Sequence, residues 1–597
     1  MTLAQKYLEI VRRRGEAGVE LRKVYKIIRC RELYLMAYAN LYANTGALTP
    51  GTDPNDTVDG MSLGRIEAII RHLEHGTYTW KPVRRTYRTK KASQKKRALG
   101  MPAWSNKLVE EVLRLVLEAY YEPQFRDSSH GFRPGRGCHT ALSAIYKKWQ
   151  GTKWFIEGDI KGCFDTIDHG KLLEIIRRQI KDERVLKLIR GMLQAGYIEN
   201  WTYHKTYSGT PQGSVLSPLL SNLMLNELDE FMEDVLIPEY SRGNKRKVNP
   251  EYEKWKRQAK KSNAQGDRAQ YQHAIRMKRQ LPSVLIDDPN YSRLHYIRYA
   301  DDFLLGYTGS REETEQIKSR IQTFLETLGL EMSPEKTLIT HARTQNARFL
   351  NYHISVNWQN AKLSVVKGTK RRTVNGGIVL RVPPDVISHW AGKVKKADTI
   401  RHRPELTHCS DYDIINTYES QLQGLINYYG MAHNVSTLYR LRYWYQQSLV
   451  KTLANKHKSS ARRIQQKYTM YTAEGRKIIA IQIPRKGKKP ITASFGKKPI
   501  RRNRNVMLKD EMVSLYTTGT ELVKRLLANE CELCGDSTNT NVHHIRKLKD
   551  LKRRYRGKKE PPEWVKRMIA IRRKTLVVCE RCHQQIHNGT YDGAKLA

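Results

Sequence analysis

No apolar run in this sequence approaches the roughly 20 residues that a membrane-spanning helix requires, so no spanning segment is expected. The opening Met1-Thr2-Leu3-Ala4 has no apolar core of the secretion-signal kind. The arm that follows carries Arg12-Arg13-Arg14 but also Glu9 and Glu16, whereas organelle transit peptides are poor in acids. Cysteine is scarce, eight in 597 residues. Cys30, Cys138, Cys163 and Cys409 are scattered and read as small buried residues. With no export signal, a reducing compartment is expected, and the four clustered cysteines near the C-terminus favour metal over disulfides. Acids are scarce too. There are 59 Asp+Glu against 107 Lys+Arg, a net charge of +48. Such an excess repels itself unless a polyanion neutralises it, and nucleic acid rewards many Lys and Arg contacts by releasing counterions. A membrane surface is the weaker alternative. No internal repeat is visible, so a repeat array is not expected.

The chain is long enough for several domains. Residues 1–45 and 60–75 have helical spacing, separated by the Gly/Pro/Asp-rich loop "TGALTPGTDPNDTVDG". Residues 100–185 mix helix and strand. Residues 241–282 read as an exposed basic helical insertion, and 381–470 as helical. The stretch "PRKGKKPITASFGKKPIRRNR", 484–504, reads as a basic linker or nucleic-acid arm.

Chemistry concentrates in "HYIRYADDFLLGY", residues 295–307. Aromatic and aliphatic flanks predict a hairpin with Asp301 and Asp302 at its tip. Adjacent carboxylates repel, and burying them without a partner is costly, so cations must offset them. Upstream, Trp154-Phe155-Ile156 reads as a buried strand ending at Asp159. Three strand-end acids suit two Mg²⁺ ions about 4 Å apart that activate a 3′-hydroxyl and steady a leaving pyrophosphate. Between them, Gly209, Pro211 and Gly213 make a tight turn, and Ser217-Pro218 opens a helix. Either acidic motif alone would pass for an ordinary turn or cap; in this order they point to phosphoryl transfer.

Tyr299-Ala300-Asp301-Asp302 resembles the YxDD box of reverse transcriptases. Asp159 with Phe164 resembles their first palm motif, and the Pro-Gln-Gly stretch their second. "GLEMSPEKT" and "FLNYHISV" resemble the later motifs; "KKRALGMPAWSNKLVEEVLRLVL" and "HGFRPGRGCHTAL" resemble the preceding finger motifs. The set covers roughly residues 85–356 in family order, and the group II intron-encoded maturase–reverse transcriptases are the family it is most similar to. Asn351 stands where the family often has Gly, which should affect a local turn. The resemblance implies that Asp159, Asp301 and Asp302 are metal carboxylates, with the Ile160 carbonyl a further ligand. Phe164 would lie under the incoming sugar and exclude a 2′-hydroxyl, its alternative being a core Phe. Gln212 would lie near the nascent pair. Lys91 and Arg97 align with cations that grip triphosphate, and template backbone is their equal alternative. Lys336 would neutralise or protonate pyrophosphate.

Residues 418–460 interleave Tyr428, Tyr429, Tyr439, Tyr443, Trp444 and Tyr445 with Arg440, Arg442 and Lys451. Much of that must be a helical core, yet the pattern also suits RNA stacking and phosphate contact. It resembles the thumb, or X domain, of the maturases, which implies intron RNA as partner. Near the C-terminus, "CELC" and "CERC" supply Cys531, Cys534, Cys579 and Cys582, a spacing that fits tetrahedral zinc. His543, His544, His583 and His587 are left over, and a second divalent ion would explain them. This module resembles the HNH endonuclease domain. The resemblance implies His544 as general base, His543 and His583 as ligands of Mg²⁺ or another divalent ion, and His587 as a third. The family's central Asn is not evident; Lys574-Thr575 stands in its place.

The expected fold is multidomain α+β. It comprises an N-terminal extension and fingers (1–84), a right-hand polymerase fingers/palm with antiparallel sheet (85–365, basic insertion about 241–290) and an α-helical thumb/X domain (366–480). A basic DNA-binding linker (481–520) and a small zinc-stapled ββα-metal HNH nuclease (521–597) follow. The expected function is RNA-directed DNA polymerase, splicing maturase and DNA endonuclease in intron retrohoming by target-primed reverse transcription. Its partners would be intron RNA, target DNA and dNTPs, with no membrane. The expected setting is the cytoplasm or nucleoid of a bacterium, an organelle being the other. Two other readings stay open: a domesticated reverse transcriptase with no intron of its own, and a splicing factor whose polymerase is degenerate.

Overall fold

The computed structural model describes residues 2–44, 46–89, 96–199, 202–210, 213–359, 362, 364–366, 368–371, 375–485, 487–506, 520–548, 550–551 and 561–591. At its centre lies the helix Trp104–Tyr121, buried on almost every side. A helix covered all round can carry charge only in pairs. Arg114 accordingly binds Glu111 at 2.7 Å and also Glu118. The N-terminal helices Leu3–Glu16 and Arg31–Leu41 pack against it, as the 3.6-residue spacing predicts.

One core runs from these helices into a four-stranded antiparallel sheet. Its order is Leu294–Tyr299, Asp302–Tyr307, Trp154–Asp159, Leu338–His341. Phe155 and Ile156 are both buried although they point to opposite faces, so the sheet is covered on both sides. The helix Ser217–Glu230 begins at its serine with Pro in the first turn. A second hairpin, Val83–Thr89 with Lys96–Met101, stands beside this core. The basic insertion is a helical hairpin, Pro250–Ala264 and Arg268–Gln280, in which only Ala259, Ser262 and Ala274 are buried. Asn351 turns the corner between Ala347–Phe349 and Tyr352–Val356. Leu350 and Asn351 both have positive φ (47° and 56°), the two-residue turn that Asn tolerates in place of Gly.

Downstream, helices Asp411–Tyr428 and Leu438–Lys456 are joined by the Tyr418 hydroxyl, bonded to Ser448 at 2.8 Å and Thr452 at 2.9 Å. The stretch read as a linker differs from expectation. Lys477–Arg485 and Lys488–Phe495 form a hairpin packed on Asp411–Tyr428. Ile479, Ala493 and Phe495 are buried in the core, while Lys477 and Lys489 are exposed at the strand ends. The charge that suggested an arm lies at the ends of this hairpin and just after it.

The C-terminal module pairs Thr540–His544 with Thr575–Cys579, followed by the helix Glu580–Asn588. The sheet has a third strand from the other end of the chain: Met61 and Ser62 pair with Val542 and Asn541. Leu522, Val523 and Leu526, on the helix Glu521–Ala528, share the core of the N-terminal helices.

Candidate active sites

Strand register sets the first site. Asp159, last in its strand, lies directly opposite Asp302, and Tyr299 faces Asp302 across the tip formed by Ala300 and Asp301. Ala300 has φ +57°, an unfavourable conformation for a residue with a Cβ. Arg298 holds it there. This fully buried guanidinium donates to the Ala300 carbonyl (3.0 Å), Asn222 Oδ1 (3.1 Å), Ser129 Oγ (2.9 Å) and Asp229 Oδ1 (2.8 Å). A buried arginine is tolerable only when paired, and Asp229, also fully buried, pairs it. Gly131 lies so close beneath that any side chain there would strike the Ala300 backbone.

Burial, then the neighbouring Asp159 and Asp301, pushes the Asp302 carboxyl up to about 7. The cation at hand is Lys336, whose Nζ donates to Asp159 Oδ2 at 2.7 Å; that bond raises the lysine's own pKa. Three crowded carboxylates against one ammonium leave a negative excess, and hard oxygen donors suit Mg²⁺. Ile160 follows with its N–H 3.4 Å from the Asp301 carbonyl. Phe164 is half-buried and edge-on to the exposed Phe132, ring centroids 6.3 Å apart, so it is not a core residue. Its carbonyl accepts from Thr210 N–H at 2.6 Å, which seats the glycine turn beside it. Lys91, Gln212 and the Arg97 side chain lie outside the described residues.

Two other groups are tighter. Among the described residues, Cys531, Cys534, Cys579 and Cys582 bring their sulfurs within 4.8 Å of one another, as do one donor atom each of Asp59, His543, His583 and His587. Cys534 Sγ is 3.6 Å from both Cys579 Sγ and Cys582 Sγ. Zn–S bonds of about 2.3 Å in a tetrahedron require sulfur–sulfur edges of about 3.8 Å, so the thiolates fit zinc.

The imidazole group holds a residue that sequence reasoning missed. Asp59 comes from the loop before the Met61–Ser62 strand. Its Oδ2 is 2.8 Å from His587 Nε2, and its Oδ1 is 3.4 Å from His583 Nε2 and 3.5 Å from His543 Nδ1. Burial would raise this carboxyl, but the His583 hydrogen bond, then the His543 imidazole and the His544 N–H, hold it well below the usual range. Burial lowers His543 to about 4, which leaves the ring neutral near pH 7 with one nitrogen lone pair open to a metal. His544 is not in the group. It points the other way, as strand alternation demands, and its Nε2 is 2.9 Å from the Tyr38 hydroxyl. Thr575, in the place of the family's central Asn, pairs with His544 across the sheet.

Paired carboxylates on a clamped hairpin, with clusters able to hold metal beside a ββ-helix unit at the other end of the chain, fit a nucleic-acid polymerase that also carries a nuclease. Comparison with known proteins agrees. Residues 89–252 and 253–354 match the family reverse transcriptase (RNA-dependent DNA polymerase), 387–499 the type II intron maturase, and 531–583 the AI2M/AI1M-like HNH endonuclease. The chain is 39% identical to group II intron-encoded protein LtrA of Lactococcus lactis subsp. cremoris, over 94% of this chain and 95% of that one. It is 34% identical to an uncharacterized 91 kDa protein in the cob intron of Schizosaccharomyces pombe, over 95% and 70% respectively. The chain belongs to the group II intron-encoded proteins. It is a multifunctional protein with RNA-directed DNA polymerase, maturase and HNH endonuclease domains. No helix among the described residues is long and apolar enough to cross a membrane.

Proposed function

We propose that the protein copies intron RNA into DNA at a break that its own nuclease opens. Asp159, Asp301, Asp302 and the Ile160 carbonyl would hold two Mg²⁺ ions, which supply an activated 3′-hydroxyl and charge neutralisation at the leaving pyrophosphate. Lys336 meets the pyrophosphate, Phe164 lies under the dNTP sugar, and Gln212, Lys91 and Arg97 contact the nascent pair, triphosphate or template. Fingers and palm span about 85–365, and the thumb runs from 366 through the hairpin to about 500, longer than the sequence suggested. There Lys395 (4.7 Å) and Arg440 (5.4 Å) lie against the Trp444 ring, while Tyr439 and Tyr443 stand exposed. That mixture suits stacking and phosphate contact with intron RNA.

In the nuclease, Cys531, Cys534, Cys579 and Cys582 hold Zn²⁺, and His543, His583 and His587 a divalent ion. His544, on the opposite face of the strand from these ligands and held by Tyr38, would act as general base on water where the scissile phosphate reaches that face. The nicked DNA strand offers its 3′-hydroxyl as primer. The setting is a bacterial cytoplasm or nucleoid. The observation that carries the polymerase reading is Asp159 in register with Asp302 on a hairpin held by Arg298. Asp301→Asn should abolish dNTP incorporation on an RNA template; incorporation at the normal rate would remove the assignment. RNA recovered with the purified protein should be one dominant structured species carrying this reading frame. A broad mixture would favour the domesticated-polymerase reading.

A further inference from the structure

Asp59 lies in a loop whose Gly, Pro and Asp content had no function beyond turning the chain. In the structure that loop is built rather than slack. Arg65 Nη1 donates to the carbonyls of Thr57 (2.9 Å) and Asp59 (3.3 Å), and Arg65 Nη2 to Asp56 Oδ1 (2.7 Å). The Asp59 N–H donates to Thr57 Oγ1 at 3.3 Å. Gly60 N–H then donates to the Val542 carbonyl (3.0 Å), and Met61–Ser62 continue as a strand on the nuclease sheet. The His544 N–H closes the arrangement by donating to Asp59 Oδ1 at 2.7 Å. The carboxylate is therefore delivered to the three imidazoles by pairing on both sides.

A second observation bears on what the carboxylate and imidazoles surround. His543 is 5% exposed, yet neither of its ring nitrogens has a hydrogen-bond partner. A buried imidazole left without partners is expensive, and a metal ion bound at one of its nitrogens would offset part of that cost. One carboxylate oxygen and three imidazole nitrogens within 4.8 Å of one another are a usual donor set for a first-row divalent ion.

We propose that Asp59 is a fourth protein ligand of the nuclease metal, supplied by the N-terminal segment. This rests on the nuclease reading above. The centre is then shared between the two ends of the chain. The charge of its ligand set goes from −1 to neutral if Asp59 withdraws, so the ion is held less tightly whenever the loop is displaced. An entering DNA phosphate competes with Asp59 for the same ion.

The test is direct metal binding by the full-length chain, with zinc retained at the four cysteines. Co²⁺ is titrated and read by its visible absorption; the isotherm that disappears in His583→Ala belongs to the nuclease centre. Asp59→Asn keeps an acceptor for the His544 N–H but removes the charge. It should weaken that isotherm by about tenfold or more, since even outer-shell partners of metal ligands are worth 10- to 100-fold. Unchanged affinity would overturn the proposal while leaving the nuclease metal in place. A wild-type protein with no such isotherm would overturn the nuclease metal itself, and Asp59's part with it. Since Asp59→Asn also touches the seam, crystals of the unaltered chain soaked in Mn²⁺ give a check independent of the variant. An anomalous peak within bonding distance of the Asp59 carboxylate supports the proposal; a peak on the histidines alone overturns it.

Discussion

Tyr38 and His544 share a hydrogen bond of 2.9 Å across 506 positions of sequence. Tyr38 belongs to the helix Arg31–Leu41, and its ring also meets His544 edge-on. The Nε2 edge of the imidazole is thereby fixed, which orients the ring and sets where its other nitrogen points. Partners of this kind are worth about 10- to 100-fold in related sites. Tyr38→Phe should therefore slow DNA nicking by about tenfold or more and shift the acid limb of its pH–rate profile. A pH profile and rate matching the wild type would show that Tyr38 only packs.

Phe164 stands half-buried beside Phe132, away from the apolar core. A ring held there to exclude a 2′-hydroxyl predicts a specificity change on truncation. Phe164→Ala should raise the use of ribonucleotides relative to deoxyribonucleotides by about tenfold, the scale of a single steric contact. Competition between a dNTP and the matching rNTP on an RNA template measures it. An unchanged ratio would assign Phe164 to packing.

Glu110 is buried in the central helix and accepts from the Val215 N–H at 2.9 Å. Burial outweighs that bond and pushes its carboxyl from 4.5 up to about 7. The folded chain therefore keeps this proton where the unfolded chain has lost it. The stabilisation is whole below about pH 4.5 and is lost as pH rises to about 7, an effect of roughly 1–3 kcal/mol. Glu110→Gln, neutral throughout, should gain on the wild type between pH 5 and pH 7.5 in urea unfolding. An equal difference at the two pH values would refute the shift.

Cys534 is exposed at the thiolate cluster, and the module around it has only a small core of its own. A zinc staple there should dominate local stability. Cys534→Ser should lose the zinc and abolish nicking, with hydrogen exchange rising across Thr540–His544 and Thr575–Cys579. Incorporation of dNTPs should stay within about twofold, because the aspartates rest on a different sheet. Retained zinc with normal exchange would place the staple elsewhere.

Much of this was readable in the sequence because the signals are local. The acidic hairpin, the strand ending at Asp159, the helix opening at Ser217 and the two cysteine pairs each advertise themselves within about ten residues. Asp59 does not. Its partners lie as far away as His583, 524 positions on, and beyond it His587, and neither periodicity nor spacing encodes such a meeting. The hairpin of Lys477–Arg485 and Lys488–Phe495 was obscured for another reason: the cations Lys477, Arg485, Lys488 and Lys489 stand at its strand ends, and their charge hid the short period-2 pattern between them. Arg298 is legible in the sequence only as a strand residue, because its role as clamp on Ala300 depends on Asp229 and Asn222, which only the fold brings near.

The pairing of Met61–Ser62 with Asn541 and Val542 has a consequence for how the chain is made. A ribosome releases the first partner long before the second. At roughly 5–20 residues per second, the 485 positions between Asp59 and His544 take about 25–100 s to synthesise. During that interval the N-terminal helices are free to fold while their docking face and an unpaired strand edge wait. A nascent polymerase could already hold RNA in this window, so its nuclease would be assembled last, onto a scaffold that has met its nucleic acid.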